Sequence, residues 1–121
     1  MARDPRKLRV FSVADALVPD IYLITQNFPA EERYGLIAQM RRAAVSVPTN
    51  IVEGCARRTP RDYVNFLNIA NGSAHELSYL LLLSQRLGFV ASDKCAPVFD
   101  RAEHVAASLT ALIDALDTVT T

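Results

Sequence analysis

Apolar side chains recur along this chain at intervals of three and four residues, the spacing of one face of an α-helix. Punctuation divides them into four segments. In the first, Val13, Leu17, Ile21 and Ile24 form a stripe flanked by Val18 and Phe28. Ser12 with Asp15 is its opening signal, and Asn27-Phe28-Pro29 its end. Pro19 lies inside that pattern and predicts a kink or a later true start. The second segment opens near Ala30, with Glu31 and Glu32 where a helix dipole favours acids. Leu36, Met40, Ala43, Val47, Ile51 and Cys55 then share one face, and Arg57-Arg58 closes the segment. Pro48 in its interior removes a backbone donor and predicts a bend near Ala44.

Thr59-Pro60-Arg61-Asp62 is the clearest start signal: a capping threonine, proline in the first turn and an acid at the third helical position. The helix it opens carries Phe66, Ile69, Ala70, Leu77, Leu80, Leu81 and Leu87 and ends at Gly88. The last segment opens at Ser92, tolerates Pro97 early, and runs through Val98, Val105, Leu109, Leu112, Ile113 and Leu116. Helices at about 12–28, 30–57, 60–87 and 92–118 follow, joined by short connections. Consecutive helices must then run antiparallel, giving an all-α, up-down-up-down four-helix bundle.

Composition agrees. The 121 residues are the size of one domain, half of them are hydrophobic, and only four are glycine. Cys55 and Cys95 are too few for a disulfide framework. No apolar leader follows the basic N-terminus, and the longest aliphatic run, Leu80–Leu83, is far short of the ~20 residues of a membrane span. A reduced, cytoplasmic protein without a membrane contact is the expectation. Thirteen basic side chains balance thirteen acidic ones, but unevenly along the chain. Residues 1–61 hold ten basic against six acidic groups, and residues 62–121 three against seven. Such polarity suits docking between halves or subunits, or one basic face toward a polyanion.

Catalytic and metal chemistry find little support. His75-Glu76 resembles the start of a zinc-protease helix, but the second histidine would have to be at the position of Tyr79. His104 is the only other histidine, and no Glu-x-x-His pair of the di-metal bundles occurs. Four scattered glycines build no phosphate loop. The expectation is no enzyme, no metal and no cofactor.

The unusual feature is polar. Arg42, Ser46, Asn50 and Glu53 share one face of the second helix, and Ser73 and Glu76 one face of the third. So close to the apolar stripe, they form either a hydrogen-bonded network that sets helix register or a polar pocket. The first reading is the simpler, because an unpaired buried polar group costs about 1–3 kcal/mol. A catalytic or small-molecule site on Glu53, Glu76 and Asn50 is the remaining alternative.

The run Glu32-Arg33-Tyr34-Gly35-Leu36, then Gln39 to Gly54 (QMRRAAVSVPTNIVEG), closely resembles the bacterial family named after proteins encoded in 23S rRNA intervening sequences. Phe66 to Ala70, Gly72-Ser73 and Glu76-Leu77 resemble that family's third helix. The resemblance spans nearly the whole chain and extends, more distantly, to the accessory proteins of diversity-generating retroelements. It implies a four-helix bundle assembled into a closed pentameric ring. It implies no established enzymatic activity, and an association with RNA or a nucleic-acid-handling partner. Cys55 stands where relatives often carry a small serine-like residue. Four tyrosines and five phenylalanines, more than a thin bundle core usually holds, also suit subunit contacts.

For a polyanion, two basic groups are available: Arg57, Arg58 and Arg61 at the turn between the second and third helices, and Arg3, Arg6, Lys7 and Arg9 in an arm expected to be flexible over residues 1–10. Arg41 is a third candidate, its neighbour Arg42 being assigned to the polar stripe. Against direct binding stand the zero net charge and a pI near 6.7. A non-enzymatic homo-oligomeric scaffold or adaptor therefore ranks first, direct low-specificity RNA or DNA binding second, and a catalytic site third.

Overall fold

A computed structural model describes residues 3–120, with side chains described through Asp117. The described residues form four α-helices and no strand: α1 (Arg9–Thr25), α2 (Leu36–Cys55), α3 (Pro60–Arg86) and α4 (Ser92–Thr120). Short 3-10 turns at Pro5–Lys7 and Ala30–Glu32 precede α1 and α2. Each helix packs against the next, and α4 returns to α1. The four enclose one apolar core, its largest fully buried side chains including Leu17, Ile21, Met40, Ile51, Leu67, Leu77, Leu81 and Leu109.

The two long, well-signalled helices lie where the punctuation places them. Thr59 caps α3, its hydroxyl accepting from the Asp62 N–H at 3.1 Å. At the far end Gly88 takes φ +80°, with its N–H donating to the Gln85 carbonyl and the Phe89 N–H to Ser84. That is the 6→1, 5→2 closure of a Schellman end, which a side chain at position 88 would strain. It turns Phe89 back against Phe28, ring centroids 5.5 Å apart.

The first two helices differ from expectation at their ends. α1 begins at Arg9 rather than Ser12. Val10 is buried one turn before Ala14, so the inward stripe starts earlier, and Ser12 is an exposed interior residue. It ends at Thr25, leaving Phe28 buried in the connection. α2 begins at Leu36 rather than Ala30, because Gly35, at φ −107° and ψ −109°, separates the 3-10 turn from the helix. The Glu32 carboxylate supplies a terminal acceptor by taking the Leu36 N–H at 3.2 Å. Pro19, Pro48 and Pro97 all lie inside continuous helices.

The arm expected to be flexible is docked over its described part. The Arg3 N–H donates to the Cys55 carbonyl at 3.1 Å, and the 3-10 turn at Pro5–Lys7 packs on α1 and α2. Residues 1 and 2 of that arm lie outside the described residues.

Candidate functional site

The polar stripe resolves into a seam between α2 and α3. Ser46 and Ser73 hydroxyls meet at 2.8 Å, and the Asn50 amide donates to the Ser46 carbonyl at 2.8 Å and its hydroxyl at 3.0 Å. Two turns toward the start of α2, Gln39 donates to the Glu76 carboxylate at 3.1 Å. Ser46, Asn50, Ser73 and Glu76 thus belong to the seam, whereas Arg42 and Glu53 do not. Both are exposed, and neither side chain makes a hydrogen bond or ion pair among the described residues. Each residue turns the helix by about 100°, which puts position 42 about 40° and position 53 about 20° round from Ser46, on the flank of the seam nearer α1, where no side chain of α3 meets them. Gln39 was the missed member, and its signal was its place seven residues before Ser46 on the same face.

The same rotation reverses the roles of the two neighbouring arginines. Arg41, not Arg42, is held: its Nε donates to the Thr25 hydroxyl at 2.9 Å and its guanidinium lies 4.5 Å above the Tyr22 ring. Arg41 is therefore a clasp between α2 and the end of α1.

The two basic groups, separated by about fifty positions in sequence, converge on one end of the bundle. The Arg3 guanidinium lies 4.0 Å above the buried Tyr63 ring and donates to the Arg57 carbonyl at 3.2 Å. Arg57 in turn donates from Nε to the Glu53 carbonyl at 3.2 Å and covers Phe66 at 4.7 Å. Arg6 is paired with Asp4 at 3.0 and 3.1 Å, and these hydrogen bonds hold the Asp4 carboxyl below the usual range. Lys7, Arg9, Arg58 and Arg61 are exposed at the same end. Stacking on Tyr63 and Phe66 uses the faces of two guanidiniums while part of their N–H edge stays available for anions.

Beneath this surface Cys55 and Tyr63 are almost fully buried, and burial pushes both the thiol and the phenol above their ordinary pKa values. Cys95, at the other end of the core, is raised for the same reason.

Two open grooves flank the bundle. One of about 480 Å³ runs between α1 and α2, with Phe11, Val18, Val45 and Val52 in its wall and Asp15 and Glu53 beside them. Another of about 390 Å³ lies at the opposite end, between Leu23, Ile24, Phe89 and Lys94. Glu53 thus faces a groove with α1, while Asn50 and Glu76 sit in the α2–α3 seam, so the three side chains of the catalytic alternative are not brought together. Among the described residues there is no group of three or more His, Cys, Asp or Glu placed to hold a metal ion, and no helix is long and apolar enough to cross a membrane.

The fold has a solved counterpart. A crystal structure at 1.70 Å from Bacteroides thetaiotaomicron VPI-5482, of a protein of unknown function from the S23 ribosomal protein family, superposes with a TM-score of 0.79. It shares 22% sequence identity, and the match covers 87% of this chain and 95% of that one. No curated protein matches the sequence. Residues 6–111 match the 23S rRNA-intervening sequence proteins, a stretch that contains α1, α2 and α3 whole and most of α4. The chain belongs to the 23S rRNA-intervening sequence protein family.

Proposed function

We propose that this chain is a non-enzymatic, self-associating helical-bundle scaffold, probed most directly by its oligomeric state. The observation that carries this reading is the surface of α2 and α3. Val45 and Val52 on α2, and Ile69, Tyr79 and Leu82 on α3, are between 38% and 56% exposed although the core beneath them is complete. Large apolar side chains grouped on helical faces are the usual material of subunit contacts. An α2–α3 seam made of neutral hydroxyls, amides and one carboxylate supports a structural role over a catalytic one. A pentameric ring accords with the family resemblance, and a cytoplasmic setting with two cysteines that are both free.

A second reading, direct low-specificity binding of RNA or DNA, is favoured by one specific observation. The fold gathers Arg3, Arg6, Lys7, Arg9, Arg57, Arg58 and Arg61 at one end, and a ring would repeat that cluster around its axis. Avidity then multiplies a weak footprint. The family name and the neighbour's ribosomal family name both point the same way.

Light-scattering mass, with and without a generic structured RNA at low and moderate salt, tests both. A mass near five times 13.3 kDa supports the ring, and a monomer overturns it. An RNA-dependent shift that fades as salt rises supports phosphate binding. Its loss in the Arg57→Ala, Arg58→Ala, Arg61→Ala triple variant with the mass unchanged assigns it to the basic end.

A further inference from the structure

We propose that the outer stripe of α3 in one copy of this chain docks into the α1–α2 groove of the next, with Arg86 meeting Glu53 and Asp15. This rests on the self-association reading and names the two surfaces.

The stripe consists of Gly72, His75, Tyr79, Leu82 and Arg86, spaced three, four, three and four residues apart, and all five are exposed. That spacing is the heptad seam by which one helix packs against another. Gly72 is the telling member. A glycine in a helix interior is less stable than alanine, because it loses more backbone freedom on folding. Nothing in this chain lies within 4 Å of where its Cβ would be, so no contact inside the protomer requires glycine there. A partner helix approaching closely at this point does require it. Tyr79 and Leu82, 56% and 44% exposed, stand on either side of the line as knobs.

The groove is the complement. Its floor and walls are Phe11, Val18, Val45, Pro48 and Val52. Its charged members are Asp15 and Glu53, both exposed and neither paired with any group among the described residues. The groove's lining therefore carries two unpaired carboxylates and no cation, whereas the stripe carries the Arg86 cation and no anion. Val45 to Glu53 spans about 12 Å of helix and Tyr79 to Arg86 about 10 Å, so the second half of the stripe matches the groove and Gly72, about 10 Å further back, meets the partner beyond the groove's end. Groove and stripe lie on different faces, so the contact is head-to-tail, the kind that closes into a ring when its rotation permits.

The test is a charge exchange read by light-scattering mass of the full chain at about 0.15 M salt, with circular dichroism to confirm helicity. Glu53→Arg and Arg86→Glu each place like charges across the contact and are expected to raise the dissociation midpoint about tenfold or more. The double variant is expected to recover assembly, and Tyr79→Asp to lose it. If both single variants and Tyr79→Asp keep the wild-type mass, the proposal fails while self-association stands. Failure of the double variant to recover what the singles lose overturns the pairing of Arg86 with Glu53. A wild-type chain that stays at 13.3 kDa at every concentration overturns the scaffold reading and this contact together.

Discussion

Gly54 and Gly72 are the same residue in neighbouring helices, and their surroundings give them opposite meanings. A Cβ at Gly54 would stand 3.0 Å from Phe66 Cβ, 3.2 Å from a Tyr63 ring carbon and 3.3 Å from the Tyr63 carbonyl oxygen. All three belong to the first turns of α3, where the two helices come closest. Gly54→Ala should therefore destabilise the protomer by about 1–3 kcal/mol through overpacking. Gly72→Ala, opening onto free space, should stabilise it by about 0.5–1 kcal/mol. Denaturant midpoints of the two variants, measured at dilutions where the chain is monomeric, check the pair.

Titration belongs to this scale too. Burial raises the pKa values of Cys55, Cys95 and Tyr63 above their ordinary values. The folded chain then keeps protons that the unfolded chain has begun to release. This contribution to stability is fully present below the ordinary thiol value of about 8.5 and is lost as pH rises toward the folded values. The melting temperature should fall between about pH 8 and pH 10.5, with a shallower slope in Cys95→Ala. An unchanged slope in that variant would remove Cys95 from the account.

At the scale of elements, every seam of the bundle carries a polar clasp. Arg41 to Thr25 joins α2 to α1, and Ser46 to Ser73 and Gln39 to Glu76 join α2 to α3. Ser78 to Glu103 and Asn71 to Thr110 join α3 to α4, and an Arg101–Asp20 ion pair joins α4 to α1. Apolar stripes alone tolerate sliding by a turn, because each turn presents a similar surface. Single polar contacts do not, since a shifted partner leaves a donor or acceptor unpaired. Ser46 and Ser73 are the most informative pair, being half-buried with Asn50 leaning on one of them. Ser73→Ala should destabilise by about 1–2 kcal/mol, and the Ser46→Ala, Ser73→Ala double variant by less than the sum of the singles. A double-mutant cycle showing strict additivity would mean that the two hydroxyls do not interact.

Over the whole molecule, the chain start and the α2–α3 turn are tied into one surface. Arg3 bonds to the carbonyls of Cys55 and Arg57 and covers Tyr63, so the first described residues close the end of the core above Cys55. Arg3→Ala should expose that end: the Cys55 thiol should react with a disulfide reagent about tenfold faster or more, and Cys95 at an unchanged rate. Equal acceleration at both thiols would indicate global loosening rather than release of the strap.

How much of this was legible beforehand follows from the range of the forces involved. Helix type, the α3 cap at Thr59 and its end at Gly88 were readable because a cap or a positive φ is satisfied by residues three to five positions away. The ends of α1 and α2 were not, because they depend on Val10 and Phe28 finding the core and on Gly35 breaking the backbone. The four-residue rhythm also placed Ser46, Asn50 and Ser73 on facing surfaces. It could not tell Arg41 from Arg42, since one position of rotation decides whether a side chain meets another helix or water, nor Glu53 from a seam residue, since Glu53 repeats the position of Ser46 one heptad on. By itself, then, the amino-acid order determined four antiparallel helices, their apolar faces and the family. Tertiary structure alone decided that Arg3 lies over Tyr63, that two distant basic groups form one end, and that the α1–α2 groove with Asp15 and Glu53 lies on a different face from the exposed stripe of α3. Those are meetings between residues far apart in the chain, and they exist only once hydrophobic burial has fixed which faces point inward and how the helices are rotated.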